Sequence, residues 1–361
     1  MQGRTSTLSN AQWKKNKLVT FLGINRLKQA HKSGFFEDIS PRILVLGCPK
    51  PEALTNFGFI DLVICHPEKS IIRKAQELGF QTISEGEKFN KVKVLRSIGA
   101  TLVWVTKSRR ETFFNMAIAL IATKKNGKII ITGEKKDGVE GALKKIKTII
   151  DPVNIISKSH GKIALFQRPQ YLPKEIQVWK KMGKLQKTTS GYFSVAGAFS
   201  ETEIDTGSLL LADQFSGKLF GSVADLGSGW GYLSSEAIKN SPNIEFVTLI
   251  DSHFGALESA RRNITSSKAQ FLWADLQSET LNINNFDHVI MNPPFHIGRK
   301  VELGLGLAFL SIAKNILTKG GTLWMVYNQE LPYEKTMNSL FTNYQFLNKT
   351  KTYNVIRAKK T

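Results

Sequence analysis

The second half of this chain contains four short apolar segments that each end in an acidic or an amide residue. These residues are Asp225, Asp251, Asp275 and Asn292, and stretches with helical periodicity, such as residues 255–263, lie between the segments. Strands that alternate with helices predict a parallel sheet. The carboxyl ends of parallel strands meet at one edge of the sheet, where such folds bind ligands. Each acid by itself is more often a surface cap, but four such ends in succession favour a shared binding site.

A glycine-rich turn follows the first segment. Gly227, Gly229 and Gly231 permit a sharp turn and allow a ligand to approach the backbone. The dinucleotide-binding fingerprint needs its third glycine three residues after the second, and Tyr232 stands there instead. This departure argues against an oxidoreductase. Asp225 precedes the turn by two residues and suits a ligand with cationic groups, although a purely structural turn is an equally common outcome.

The next two acids end the second and third segments. Asp251 ends residues 245–251, where a carboxylate is able to hold a ribose diol through two hydrogen bonds. Asp275 ends residues 269–275 and is able to accept a hydrogen bond from an adenine amine.

Two consecutive prolines follow Asn292 and stop the fourth segment abruptly. Pro293 and Pro294 fix φ and remove two backbone donors, so the preceding carbonyls are not tied up by a helix that begins there. An amide side chain, these carbonyls and the aromatic ring of Phe295 are therefore placed together. The combination suits a planar group with an exocyclic amine, and an ordinary turn is the alternative.

Five motifs of the second half can be compared with known families. They are GYFSVAGAFS at residues 191–200, IDTGSLLL at 204–211, NPPFHIG at 292–298, LTKGGTLW at 317–324 and NQELPY at 328–333. With these motifs the chain resembles class I adenosylmethionine-dependent methyltransferases. More narrowly, it resembles the bacterial ribosomal RNA guanine-N2 methyltransferases, and the small-subunit enzymes in particular. In that family Phe follows the two prolines, whereas adenine-N6 and cytosine-N4 enzymes usually have Tyr or Trp there.

The resemblance implies S-adenosyl-L-methionine as methyl donor and the N2 amine of a guanine in small-subunit (16S) ribosomal RNA as acceptor. It also implies which residues hold the two substrates. The residues implied for the guanine, which we expect to be catalytic, are Asn292, Pro293 and Phe295. The residues implied for the cofactor are Asp225, Gly227, Gly229, Asp251, Asp275 and Asn292, covered by Phe199, Asp205, Gly207 and Ser208.

Three other functions are compatible with the same motifs. Large-subunit (23S) ribosomal RNA guanine-N2 methyltransferases share the two-domain plan and the Asn-Pro-Pro-Phe motif. A protein-glutamine methyltransferase has Tyr after its Asn-Pro-Pro. A non-catalytic, RNA-binding ribosome assembly factor is the third, although the intact cofactor positions argue against it.

The first half of the chain repeats the order of elements without their chemistry. Residues 41–47 and 99–106 are apolar segments equivalent to the first and fourth segments above. Prolines follow Gly47, Cys65 takes the place of an acid, and residues 107–110 replace the Asn-Pro-Pro-Phe motif. The sequence therefore predicts an α/β protein with two tandem Rossmann-like class I methyltransferase domains. The first domain is predicted to be degenerate and to bind no cofactor.

The first half is also strongly basic. Residues 1–175 contain 31 Lys or Arg against 14 Asp or Glu, whereas residues 176–361 contain 19 against 15. This charge predicts a polyanionic partner, ribosomal RNA or a ribosomal subunit, although a solvated lysine-rich surface would also produce it. We expect Lys107, Arg109 and Arg110 to bind RNA phosphates. The alternative is that they cap a helix that begins near Glu111.

The repeat and the charge divide the chain into parts. We predict a degenerate domain over residues 1–165, a linker over 166–188 and a catalytic domain over 189–361. No apolar stretch reaches the length of a membrane span, so no membrane partner is expected. Cys48 and Cys65 are too few for a zinc cluster, and no metal is expected. We expect a cytoplasmic monomer with two buried thiols.

Overall fold

The chain folds into two compact units, each with its own sheet and its own hydrophobic core. The computed structural model describes residues 22–39, 42–57, 61–84, 98–279, 283–294, 296–297, 300–301 and 303–361. The first unit comprises Met1–His66 and Ile71–Lys184, and the second comprises Pro67–Ser70 and Leu185–Thr361.

A seven-stranded sheet forms the centre of the first unit. Its strands are β1 (Arg42–Leu46), β2 (Asp61–His66), β3 (Gln81–Ser84), β4 (Ile98–Trp104), β5 (Thr123–Glu134), β6 (Pro152–Lys158) and β7 (Gly161–Gln167). The spatial order is β3-β2-β1-β4-β5-β7-β6, in which β7 runs antiparallel to both of its neighbours and the other pairs are parallel. Strand β4 is buried along its whole length, as expected for a central strand covered on both faces.

Helices precede, separate and follow the strands in the first half of the chain. They are α1 (Leu22–Lys32), α2 (Lys69–Glu77), α3 (Arg109–Ala122), α4 (Val139–Ile146) and α5 (Ile176–Met182), with 3₁₀ turns at Pro51–Phe57 and Lys135–Asp137. Helix α3 begins after Ser108, whose Oγ accepts a hydrogen bond of 3.2 Å from the Glu111 N–H. A serine in this position satisfies one of the free backbone donors at the helix start.

The segment 166–188 was predicted to be a linker, and part of it is a packed helix. Helix α5 lies within it and packs in the first unit, where Trp179 is 2% exposed. The indole of Trp179 stacks on Phe113 of α3, with 5.4 Å between ring centroids. Because Ile176 and Trp179 are three residues apart, both reach the same face of α5 and are buried together.

The second unit contains a seven-stranded sheet of the same order. Its strands are β10 (Gly221–Leu226), β11 (Ile244–Asp251), β12 (Ala269–Trp273), β13 (Phe286–Met291), β16 (Leu317–Asn328), β17 (Asn343–Lys349) and β18 (Tyr353–Lys359). Two small sheets are formed by β8 (Gln186–Lys187) with β9 (Phe193–Ser194), and by β14 (His296–Ile297) with β15 (Lys300–Val301). The order of the large sheet is β12-β11-β10-β13-β16-β18-β17, again with one strand, β18, antiparallel to its neighbours.

Helices cover both faces of this second sheet and form two apolar clusters with it. They are α6 (Thr206–Phe215), α7 (Tyr232–Asn240), α8 (Phe254–Asn263), α9 (Leu303–Ile316) and α10 (Glu334–Leu340). The central strands β10 and β13 place Val223 and Ile290 against one set of helices and Ala224 and Val289 against the other. This alternation follows from the two-residue period of a strand.

The identical strand order confirms the prediction of two tandem Rossmann-like α/β domains. The turn after β1 has one glycine with positive φ, Gly47, at +68°. The turn after β10 has three, Gly227, Gly229 and Gly231, at +70°, +56° and +88°. The first copy therefore keeps the fold and lacks the glycine-rich turn of the second.

Other expectations concern cysteines, metals and membranes. Cys48 and Cys65 are both buried and unbridged. In the described part of the chain no group of three or more His, Cys, Asp or Glu side chains is arranged to hold a metal ion. Within the described ranges, no helix has the length and apolar character that crossing a bilayer requires.

Candidate functional site

The glycine-rich turn between β10 and α7 forms the floor of the candidate site. The positive φ angles at Gly227 and Gly229 belong to the left-handed region, which favours glycine. Gly231 has a further constraint, because a Cβ there would lie 3.1 Å from the Ala260 side chain. The turn is held to the neighbouring strand, since the Gly227 N–H donates to the Ile250 carbonyl at 2.8 Å.

A cavity of about 390 Å³, open to solvent, lies over this turn. This volume includes the solvent at the open mouth of the cavity. The cavity brings together six residues that the sequence predicted: Phe199, Asp205, Ser208, Gly227, Gly229 and Asn292. It is also lined by Ser200, Ser228, Trp230, Tyr232 and Leu233, which the sequence analysis did not select.

Asn292 lies at the carboxyl end of β13 and contacts the start of α6. Its Nδ2 donates hydrogen bonds to Asp205 Oδ2 at 2.8 Å and to Ser208 Oγ at 2.9 Å. Asp205 is also the N-cap of α6, because the same Oδ2 accepts the Ser208 N–H at 2.8 Å. Three residues that the sequence placed in one site are therefore directly hydrogen-bonded to one another.

The two prolines after Asn292 differ in environment. Pro293 is buried, whereas Pro294 is exposed and faces the glycine-rich turn, with its Cδ 3.8 Å from the Cβ position of Gly227. Phe295 lies outside the described residues, and so do the side chains of His296 and Ile297.

Asp225 lies behind the turn and does not line the cavity. It is 0% exposed, and its Oδ2 accepts a hydrogen bond of 2.6 Å from Ser234 Oγ. Its Oδ1 is buried and has no hydrogen-bond partner among the described residues. Burial raises the pKa of Asp225 to about 7 and the charge of Asp251 adds to the shift, while the bond from Ser234 opposes both.

Asp251 ends β11, and both of its carboxylate oxygens accept backbone hydrogen bonds. Oδ2 accepts from Gly229 at 2.7 Å, and Oδ1 accepts from His253 at 2.8 Å. Burial raises the pKa of Asp251 and the nearby Glu68 carboxylate raises it further, whereas these two bonds lower it. Asp251 therefore holds the shape of the glycine-rich turn.

Glu68, in the segment Pro67–Ser70 of the second unit, influences Asp251 and was not predicted from the sequence. Ser252 Oγ donates to Glu68 Oε2 at 2.5 Å, and the Lys69 N–H donates to the Ser252 carbonyl at 2.9 Å. Burial raises the pKa of Glu68. No local pattern indicated this role, because the partner residues are 184 positions apart in sequence.

Asp275 follows β12, and its carboxylate stabilises the turn over the next residues. Its Oδ1 accepts the Gln277 N–H at 3.1 Å, and its Oδ2 accepts from Ser278 Oγ. Asp275 is 5% exposed and is not among the residues that line the cavity. Gly207 does not line the cavity either, although Asp205 and Ser208, which are close to it in sequence, do.

Trp230 positions the segment that contains Phe199. The indole Nε1 donates to the carbonyls of Phe199 and Ser200 at 3.1 and 3.2 Å, and the indole packs against Tyr192 with 5.1 Å between ring centroids. Phe199 itself is 60% exposed at the edge of the cavity. The tryptophan within the glycine-rich turn is the sequence feature from which this contact could have been predicted.

The three cations Lys107, Arg109 and Arg110 lie at the start of α3 in the first unit. Ser108 caps the helix, which begins at Arg109. The Arg110 guanidinium donates to the carbonyls of Met182 and Lys184, both at 3.4 Å. Arg109 is exposed and its guanidinium lies 5.3 Å from the ring centroid of Phe113, while Lys107 is exposed. The structure thus shows a structural contact for Arg110 and exposed charge at the other two.

Two family models match the chain. The methyltransferase small domain matches residues 191–357, and the N-terminal domain of the same family matches residues 74–170. The first match includes the glycine-rich turn, the residues that line the cavity and Asn292, whereas the second match lies in the first half of the chain.

Curated relatives and a solved structure extend these matches. A ribosomal RNA small subunit methyltransferase C of Haemophilus influenzae is 30% identical over 263 residues, which are 70% of this chain and 77% of that protein. The protein of that name from Mannheimia succiniciproducens is 32% identical over 258 residues, 70% of this chain and 76% of that protein. A 16S rRNA N2 methyltransferase of T. thermophilus, solved with AdoMet and guanosine, has the same fold with a TM-score of 0.76. It is 20% identical, and the match covers 94% of this chain and 92% of that one. The chain therefore belongs to the ribosomal RNA small subunit methyltransferase C family.

Proposed function

We propose that this protein transfers a methyl group from S-adenosyl-L-methionine to the N2 amine of a guanine in small-subunit ribosomal RNA. The observation that carries the proposal is the cavity in which the Asn292 amide and the glycine-rich turn after β10 face the same space. The relatives named above and the solved structure with AdoMet and guanosine support it.

The residues around the turn fit this methyl donor. A Cβ at Gly229 would project into open space, so the glycine leaves room for a ligand directly against the backbone. The buried Asp225 Oδ1, which has no partner among the described residues, is suited to a cationic group. We assign Asp251 to the ribose, Asp275 to the adenine and Phe199 to the cover of the ligand.

When bound, S-adenosyl-L-methionine supplies an electrophilic methyl group, whose transfer to the N2 lone pair leaves the sulfur as a thioether. The residues of the chain orient the amine for this reaction. Asn292 Oδ1 and the Pro293 carbonyl each accept one N–H of the guanine amine, which favours a pyramidal nitrogen with its lone pair directed at the methyl group. Orientation of this kind supplies most of the rate enhancement.

No general base is needed. The methylated amine is cationic and releases its extra proton to water. Asp205, an acid that lines the cavity, already accepts two hydrogen bonds within the protein. We assign Phe295 to stacking on the guanine, a contact worth ~1–3 kcal/mol in proteins that bind single strands. A paired guanine must first leave its helix to enter such a pocket.

We assign RNA binding to the basic first half and catalysis to residues 189–361. Exposed cations such as Lys107 and Arg109 are suited to phosphates, which contribute affinity and register without reading sequence. Because ribosomal RNA is the substrate, we place the protein in the cytoplasm, and we propose that it acts as a monomer without a metal.

The test is to delete the gene and to compare ribosomal RNA nucleosides by mass spectrometry. We expect one N2-methylguanosine to disappear from small-subunit RNA and to return with the wild-type gene but not with Asn292→Ala. Loss from large-subunit RNA instead would assign the other subunit. An unchanged nucleoside content, with a ribosome assembly defect, would overturn the proposal in favour of a non-catalytic assembly factor.

A further inference from the structure

The amide of Asn292 is held by two residues from another element. Both of its Nδ2 hydrogens are used, one by the Asp205 carboxylate at 2.8 Å and one by Ser208 Oγ at 2.9 Å. We infer that Asp205 and Ser208 are positioning residues that fix the Asn292 amide so that its Oδ1, not its Nδ2, faces the guanine amine. The inference rests on the function proposed above and adds two residues to its mechanism.

The chemistry of the partners determines which way the amide points. An amide has nearly the same shape in its two flipped orientations, but its oxygen accepts hydrogen bonds and its nitrogen donates them. An ionised carboxylate only accepts, so the Asp205 side must carry Nδ2. With the opposite orientation, Oδ1 would face the carboxylate and two N–H groups would face the N–H groups of the guanine. That arrangement would be repulsive on both sides.

Asp205 is itself rigidly placed. Its Oδ2 caps α6 by accepting the Ser208 N–H at 2.8 Å. A Cβ added to Gly207 would lie 3.0 Å from this Oδ2 and 3.0 Å from Cε1 of Tyr353. The absence of a side chain at Gly207 therefore allows the carboxylate and the tyrosine ring to approach each other.

The carboxylate also affects the strength of the acceptor. A negative charge that accepts a hydrogen bond from one end of an amide draws positive charge toward that end and leaves the oxygen more negative. A more negative Oδ1 accepts better from the guanine amine, which becomes cationic during methyl transfer. Asp205 would thus stabilise the transition state without contacting the guanine N2 or the transferred methyl group.

A role in covering the cofactor predicts a different outcome. Residues that bind the methyl donor change its Kd when they are replaced, whereas residues that orient Asn292 change kcat and leave that Kd unaltered. The two roles are therefore separable by measuring both constants on the same variants.

Three substitutions separate orientation from helix capping. Ser208→Ala removes one acceptor and keeps the backbone cap. Asp205→Ser keeps a good N-cap residue but is too short to reach Asn292. Asp205→Asn has an oxygen that can still accept from both the Ser208 N–H and Asn292, and it serves as the conservative control.

Three quantities are measured on each variant. The first is turnover on small ribosomal subunits from cells that lack the gene, and the second is the Kd of S-adenosyl-L-methionine from calorimetry. The third is the ¹⁵N resonance of the Asn292 side chain in cofactor-free protein labelled at asparagine, identified by its loss in Asn292→Ala.

We expect Ser208→Ala and Asp205→Ser each to lower kcat about tenfold, the effect of one hydrogen bond, with Kd and Tm close to wild type. The Asn292 resonance should shift in both. Asp205→Asn keeps the acceptor but loses the charge that makes Oδ1 a better acceptor, so it should restore only part of the turnover. A raised Kd with normal kcat at saturation would assign both residues to the cofactor and overturn the inference. An unmoved Asn292 resonance would overturn it as well. If the wild type methylates nothing, the proposed function fails, while the resonance still tests the positioning role.

Discussion

The backbone N–H of Gly229 donates a hydrogen bond of 2.7 Å to Oδ2 of Asp251. The glycine belongs to the turn after β10, and the acid ends the adjacent strand β11, so one carboxylate connects two neighbouring strand ends. The other oxygen accepts the His253 N–H at the start of α8. Asp251 therefore shapes the glycine-rich turn in addition to the ribose contact that we propose for it.

Replacing Asp251 with Ala should weaken binding of S-adenosyl-L-methionine. Loss of charged hydrogen bonds to the ribose and of the anchor for Gly229 should raise Kd about ten- to a hundredfold. Calorimetric titration measures this Kd, and Asp213→Ala, which removes an exposed acid on α6, is the matched control. A Kd equal to that of the control would exclude Asp251 from the cofactor site.

Replacing Asn292 with Ala should lower turnover by about a hundredfold or more, because the guanine amine loses an orienting acceptor. The Kd of the methyl donor should remain close to that of the wild type. Single-turnover transfer of labelled methyl groups to ribosomal RNA measures the first quantity. Asn343→Ala, at an exposed asparagine of β17, should be fully active. Full activity of Asn292→Ala would disprove the orienting role.

Replacing Glu68 with Gln should extend cofactor binding to lower pH. After burial, the Glu68 carboxylate is the next contributor to the raised pKa of Asp251. A raised carboxyl pKa means that the ionised form, which accepts from the ribose, is lost as the pH falls through that pKa. Removal of the Glu68 charge lowers the pKa of Asp251, so binding should persist at more acidic pH.

The measurement is the Kd of S-adenosyl-L-methionine at a series of pH values below 8. Glu258→Gln removes an exposed carboxylate of α8 and should leave the profile of the wild type unchanged. Coincident profiles for Glu68→Gln and the wild type would contradict the coupling of these two carboxylates.

His288 should make the fold less stable in acid. It is 3% exposed, its Nδ1 accepts from Trp324 Nε1 at 3.2 Å, and burial lowers its pKa from 6.5 to about 4. Because the unfolded chain takes up this proton at a higher pH than the folded one, stability is present above pH 6.5 and falls as the pH drops toward 4. The loss at pH 5 should be about 2 kcal/mol.

Urea unfolding at pH 7 and pH 5 measures this loss as a difference between the wild type and His288→Asn, whose oxygen can still accept from Trp324. The variant should lose about 2 kcal/mol less between the two pH values than the wild type. Equal losses in the two proteins would show that His288 is not responsible.

Replacing Arg109 with Glu should weaken RNA binding and make it less dependent on salt. Arg109 is exposed, whereas Arg110 also donates hydrogen bonds to two carbonyls, so Arg109 tests phosphate binding without loss of those two bonds. Loss of one phosphate contact should lower the slope of log K against log salt by about 1. Lys335→Glu, at an exposed lysine of α10, is the charge-matched control. Equal slopes for the two variants would remove Arg109 from the RNA-binding surface.

Much of the fold was predictable because it depends on local periodicity. The apolar segments before Asp225, Asp251, Asp275 and Asn292 correspond to β10–β13. The glycines between β10 and α7 form the predicted sharp turn and adopt positive φ angles. The structure of segment 166–188 was harder to predict, because the burial of Trp179 in α5 depends on Phe113, which is distant in sequence.

The sequence by itself determined the two α/β copies, the turn and the polar ends of four strands, because each depends on residues that are close neighbours in the chain. Only the tertiary structure decided what those ends do. It turned Asp225 inward to Ser234, joined Asn292 to Asp205 across 87 positions, and set Glu68 beside Ser252. Hydrogen bonds between distant residues form only where the packed elements bring donor and acceptor within about 3 Å, and no local pattern records that distance.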